Sequence, residues 1–270
     1  MLIKFLRNQP VASFALLVFA LAYGVGLPAQ VALATFLPQL DMTAAHYAGR
    51  VFVVSAPAIA ALILTLTAGE GHTQRWIAQL RPTKTALRWL PIAIVGFMAI
   101  GAFAFLLEDK SAQDLRTSFA QGWPRLLMVL LLEIMIVGVG EELGWRGWLL
   151  PKLLARGFSP LGASLGVGAL WAAWHVPILL QGPTVALAFV VTAVGLSILQ
   201  TALWIRTTGS VLVAAAAHAA FNAPLETLSG VGWTSVALVT SFSALVVASV
   251  AFKKMPAGTT GRHGYAAHDD

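Results

Sequence analysis

Eight apolar runs, near residues 11–37, 51–68, 90–107, 126–145, 161–181, 184–205, 209–228 and 233–252, divide this chain almost end to end. About 20 such residues let a helix cross the hydrocarbon core of a bilayer. The expected fold is therefore an all-α polytopic membrane helix bundle of about eight transmembrane helices. Composition agrees: 58% of residues are hydrophobic and only 10% charged, where soluble domains carry about 25% charged residues. One transmembrane domain is expected over 1–252. The stretch 253–270, "KKMPAGTTGRHGYAAHDD", is polar and Gly-rich and reads as a disordered tail. No internal repeat or second domain is apparent.

The net charge of +6 does not indicate nucleic acid, because the basic residues lie in short loops between apolar runs. With the N-terminus inside, thirteen Lys and Arg fall on inner segments. Only Arg50, Lys110, Arg116 and Arg125 fall outside. This positive-inside bias places both termini in the cytoplasm. The start "MLIKFLRNQPVASFALL" could pass for a signal peptide, but the apolar stretch runs on to Leu37 and further spans follow. It is read as a retained first helix. Trp89, Trp123, Trp204 and Trp233 fall at span ends, as interfacial tryptophans do. The chain has no cysteine, which excludes disulfides, thiolate catalysis and cysteine-ligated metal.

Ionisable groups within spans are rare and usually face a cavity, a partner or a substrate. They are few here: Glu133, Glu141, Glu142, Arg146, His175, His218 and Glu226. In "VGVGEELGWRGWLL" (137–150), Glu142 and Arg146 are i,i+4 neighbours that can pair on a helix. Glu141 is rotated by about 100° and points elsewhere. In "LWAAWHVP", Trp171 and His175 share a face and Pro177 bends the helix just beyond. In "AAAAHAAFNAP", His218 and Asn222 share a face among alanines that admit close helix neighbours. Each motif alone also suits packing: an interfacial salt bridge, a hydrogen-bonded histidine, or interhelical glue. Together they supply a carboxylate, two imidazoles and an amide, which is an inventory for hydrolysis.

These residues, Glu-Glu-x-x-x-Arg, then aromatic-x-x-x-His, then His-x-x-x-Asn over about 120–225, resemble the CPBP family. Its members are the CAAX-protease and bacteriocin-processing (Abi) intramembrane endopeptidases, related to the Ras-converting CAAX endopeptidase. One departure is Trp171, where the family often has Phe. The resemblance implies that Glu141 and His175 activate water, that His218 and Asn222 stabilise the oxyanion, and that Glu142 and Arg146, with Trp171, support the site. No cofactor is required on that reading. A zinc ion held by Glu141, His175 and His218 is the alternative, although no H-E-x-x-H helix argues for it.

The expected function is thus an intramembrane endopeptidase acting on a membrane-associated protein or peptide, its site open to the cytoplasm or the lipid. The chain would sit in a bacterial inner membrane. A non-catalytic scaffold or bacteriocin self-immunity protein remains open. A small-solute transporter has less behind it, since no related halves are visible. One conflict stands within this reading. If the fifth span starts at the inner edge, His175 lies about 24 Å deep, beyond Glu141 and His218. A segment along the inner interface over 151–163 would remove the conflict.

Overall fold

Backbone amides and carbonyls in hydrocarbon have no water to bond, so an apolar chain of this kind satisfies them within helices. The computed structural model describes residues 6–37, 39 and 42–252, and among these there is no strand. The expected tail at 253–270 lies outside the described residues. The main helices follow in order. They are α1 (Pro10–Phe36), α2 (Ala44–Ala68), the short α3 (His72–Ile77), α4 (Lys84–Leu106), α5 (112–155), α6 (Pro160–Trp174), the single turn α7 (Val176–Leu179), α8 (Pro183–Arg206), α9 (Val211–Thr227) and α10 (Trp233–Ala251).

Five of them, α1, α2, α4, α8 and α10, are long and apolar enough to cross a membrane. Their outward faces carry Leu16, Leu66, Val95, Leu187 and Phe242, each more than half exposed. Water would not tolerate such a belt on five helices, whereas lipid does. The protein is an integral membrane protein.

The centre of the bundle is α9. Seven alanines line it, and none is more than 2% exposed. Without large side chains, α4, α5 and α8 come close to its backbone. Around this core, α8 packs between α6 and α10, and α1 and α2 close the opposite side against α5. At the end of α4, the Ser235 hydroxyl and the Gly232 amide both donate to Glu108, tying α4 to the start of α10. The Ser235 bond, then the Gly232 bond, holds the Glu108 carboxyl below its ordinary range.

Three expectations need correction. The run at 126–145 is only the middle of a longer helix: α5 continues from 112 to 155. Its polar start is held by a capping box in which Ser111 and Asp114 exchange bonds. No separate segment forms over 151–163 either. Residues up to 155 complete α5, a turn with Gly157 at φ 86° follows, and α6 starts at Pro160. The depth conflict disappears with it. Counted from this shared turn at 1.5 Å per residue, Glu141 and His175 lie about 21 and 22 Å away, at the same level. The turn before α9 is itself buried, with Thr207 and Ser210 only 1% and 6% exposed, so α9 begins inside the bundle. His218 then needs only two turns to reach Glu142. Finally, Trp204 is 4% exposed and packs inside the bundle rather than at its outer face.

Candidate active site

The Glu-Glu pair sits in a short α-helical stretch, Val139–Gly144, between two π-turns of α5, Glu133–Gly138 and Trp145–Leu149. Each π-turn inserts a residue and re-aims the side chains that follow, a device common at functional sites. A Cβ on Gly138 would stand 2.6 Å from the Ala215 carbonyl oxygen. The missing side chain lets α5 meet the α9 backbone at the level of the site.

Glu142 is fully buried, and its Oε1 accepts from Arg146 Nη1 at 2.9 Å. The same oxygen lies 2.8 Å from His218 Nδ1. A carboxylate oxygen accepts, so His218 turns an Nδ1–H towards it and leaves Nε2 for the cavity. Arg146 also stands over the Trp171 ring, 5.1 Å from its centroid. One carboxylate therefore orients both a guanidinium and an imidazole.

Glu141 is not without a partner, contrary to what its isolation on the helix face suggests. Its Oε2 accepts from the Trp171 indole at 2.7 Å. A phenylalanine at that position could not donate, so the departure at Trp171 supplies a hydrogen bond to the very carboxylate assigned as base. The carbonyl of Trp171 takes a bond from His175 Nδ1 at 2.8 Å. That fixes the proton of neutral His175 on Nδ1 and leaves a lone pair on Nε2. His175 stands where the helix breaks, at φ −84°, ψ 49°, between α6 and α7. The break falls at the histidine itself and not beyond it. Tyr23 bridges it: its hydroxyl donates to the Trp174 carbonyl and accepts from the Val176 amide.

Asn222, one turn beyond His218, donates through Nδ2 to Glu133 Oε2 at 2.7 Å. Glu133 Oε1 accepts from Arg50 Nη1 at 2.8 Å, and Arg50 also reaches Glu226 at 3.1 Å. The sequence offered no role for Glu133 or Glu226 and counted Arg50 as a loop charge. The one signal available for Arg50 was its i,i+4 spacing from His46, whose Nε2 lies 2.9 Å away.

These groups surround one cavity of about 340 Å³. Glu141, Trp171, His175, His218 and Asn222 form a polar wall. Ile178, Phe189, Ala193, Leu196, Phe221, Leu225 and Trp233 supply its apolar lining, and Arg50, Thr192 and Glu226 complete it. Thus all four residues assigned to the chemistry face one space, while Glu142 and Arg146 stand behind it. Glu141, His175 and His218 share the cavity. Among the described residues, however, no group of three His, Asp or Glu is placed to hold a metal ion.

Residues 123–224 match the family model described as type II CAAX prenyl endopeptidase Rce1-like. That segment, a little over a third of the chain, is similar to the CAAX-protease family over its length. It contains every residue of the polar wall. Arg50, Leu225, Glu226 and Trp233 lie outside it and come from the rest of this chain. A search of curated proteins finds no match.

Proposed function

We propose that this chain is an intramembrane endopeptidase that hydrolyses a membrane-associated protein or peptide with a water activated by Glu141 and His175. The observation that carries the reading is the convergence of Glu141, His175, His218 and Asn222 on one cavity whose remaining lining is largely apolar. The Rce1-like match over the same residues supports the reaction class.

Each group has a step that its geometry suits. Glu141, oriented by the Trp171 indole, takes a proton from water as the oxygen attacks the scissile carbonyl carbon. His175 offers the Nε2 lone pair to the same water. The second N–H of Asn222 and the Nε2 side of His218 meet the charge that develops on the carbonyl oxygen. His218 donates there when its ring carries both protons, with Nδ1–H on Glu142. The proton held by Glu141 then passes to the departing amine. Phe189, Phe221 and Trp233 give an apolar substrate segment a surface to lie on and keep bulk water out.

Comparative proteomics of membranes with wild type or Glu141→Gln identifies the substrate, and the purified pair tests the chemistry. Turnover by Glu141→Gln should fall about 10²–10⁴-fold while folding is kept, because the glutamine carbonyl still accepts from Trp171. Wild-type turnover should survive exhaustive dialysis against a chelator. Loss of activity on dialysis, restored by zinc, overturns the metal-free route. Equal turnover by Glu141→Gln overturns the peptidase reading and moves the weight to a non-catalytic scaffold.

A further inference from the structure

Glu133 is a buried carboxylate that the proposed hydrolysis does not use. Its side chain is 0% exposed, and it opens the first π-turn of α5. Its two oxygens are divided between two helices. Oε1 takes Arg50 Nη1 from α2 and Oε2 takes Asn222 Nδ2 from α9. Burying such a group without function is costly, and here it is held at a fixed place. Arg50 cannot swing away freely, because the same Nη1 also contacts Glu226 Oε1 and His46 Nε2.

The consequence lies in the amide of Asn222. An asparagine side chain has a donor end and an acceptor end of nearly the same shape, and a half-turn exchanges them. A carboxylate only accepts, so Glu133 admits the nitrogen and rejects the oxygen. One N–H is used on Glu133. The second N–H of that nitrogen is what Asn222 then offers to the cavity it lines. In the flipped state Asn222 would present a carbonyl oxygen to an oxyanion, which repels.

We propose that Glu133, anchored by Arg50, is a positioning residue: it locks the Asn222 amide with its nitrogen inward, as an oxyanion donor requires. This rests on the peptidase reading above. It also extends the site beyond the Rce1-like segment, because the anchor Arg50 comes from α2.

The chain has only two asparagines, Asn8 and Asn222, and Asn8 is exposed. Nitrogen-labelled asparagine in protein held in lipid nanodiscs therefore gives two side-chain amide signals in nuclear magnetic resonance. Asn222→Ala assigns them by deletion. Glu133→Gln should move the Asn222 signal and leave that of Asn8 in place. Its kcat should fall about ten- to a hundredfold with little change in KM, as when a supporting hydrogen bond is lost behind a working group. Added to Asn222→Ala, Glu133→Gln should cost nothing more, because its effect runs through that amide. A Glu133 that merely supports the fold would multiply the loss. If Glu133→Gln does not accumulate as folded protein, Glu133→Asp keeps the charge and withdraws the carboxylate, and is read in the same way. An unmoved Asn222 signal, or losses that multiply, overturns the proposal. Full activity of Glu141→Gln removes the peptidase reading instead, and the amide signal still decides whether Glu133 sets Asn222.

Discussion

Glu142 Oε1 accepts from both Arg146 and His218, and neither Glu142 nor Arg146 reaches solvent. Replacing it by glutamine leaves a buried guanidinium without its counter-charge. Breaking a buried pair from one side typically costs roughly 3–5 kcal/mol. Glu142→Gln should therefore lower the thermal midpoint in detergent and the yield together with activity, whereas Glu141→Gln should change activity with the midpoint near wild type. A Glu142→Gln protein as stable as wild type would show that Arg146 is held by something else. This pair was legible in the sequence, because i,i+4 spacing is a local property of any helix. The bonds from Trp171 to Glu141 and from Arg50 to Glu133 were not. They join residues 30 and 83 positions apart, and nothing local in a sequence encodes which helices become neighbours.

Elements were legible as apolar runs, and every run is helical in the structure. Their ends were not. A hydropathy reading stops at Arg125 on one side of α5 and at Arg146 on the other. The backbone stops only where its hydrogen bonds do, at the Ser111 cap and the Gly157 turn. The same error placed the start of α2 at residue 51, which cut Arg50 out of the helix that carries it to the site. Close approach between elements can be tested directly. A Cβ on Gly144 of α5 would stand 2.4 Å from the Pro57 Cβ and 2.6 Å from its carbonyl oxygen, both on α2. Backbone cannot yield as a flexible side chain does, so Gly144→Ala should destabilise by about 1–3 kcal/mol or more. Gly24, in the π-turn of α1, has nothing within 4 Å of the same position. Gly24→Ala should leave the midpoint unchanged or raise it, since alanine is the better helix former. Equal midpoints for the two variants would mean that α2 and α5 do not meet as tightly as the structure places them.

For the whole molecule, the parity of crossings decides on which side the site opens. Five helices cross by length and composition, and an odd number would put the two chain ends on opposite faces. If α5, α6 and α9 also cross, the number is eight and the ends share a face. The loop charges favour eight, and more strongly once the structure removes two of them. Arg50 and Arg146 are ion-paired within helices, so the remaining lysines and arginines divide twelve inside to three outside. Under that topology Glu226 and Trp233 border the outer connection between α9 and α10, and Arg50 reaches Glu226 from the outer end of α2. The cavity then extends from Glu141 towards the outer face, whereas the sequence alone points to an opening on the cytoplasm or the lipid. Because the chain has no cysteine, a single introduced thiol reports its side without background. Ser229, exposed between α9 and α10, and Phe158, exposed between α5 and α6, stand at opposite ends of the bundle. In intact cells a membrane-impermeant maleimide should label Ser229→Cys, and it should label Phe158→Cys only after lysis. The reverse pattern would invert the molecule, and labelling of both thiols in intact cells would rule out that α5, α6 and α9 traverse the bilayer as a unit.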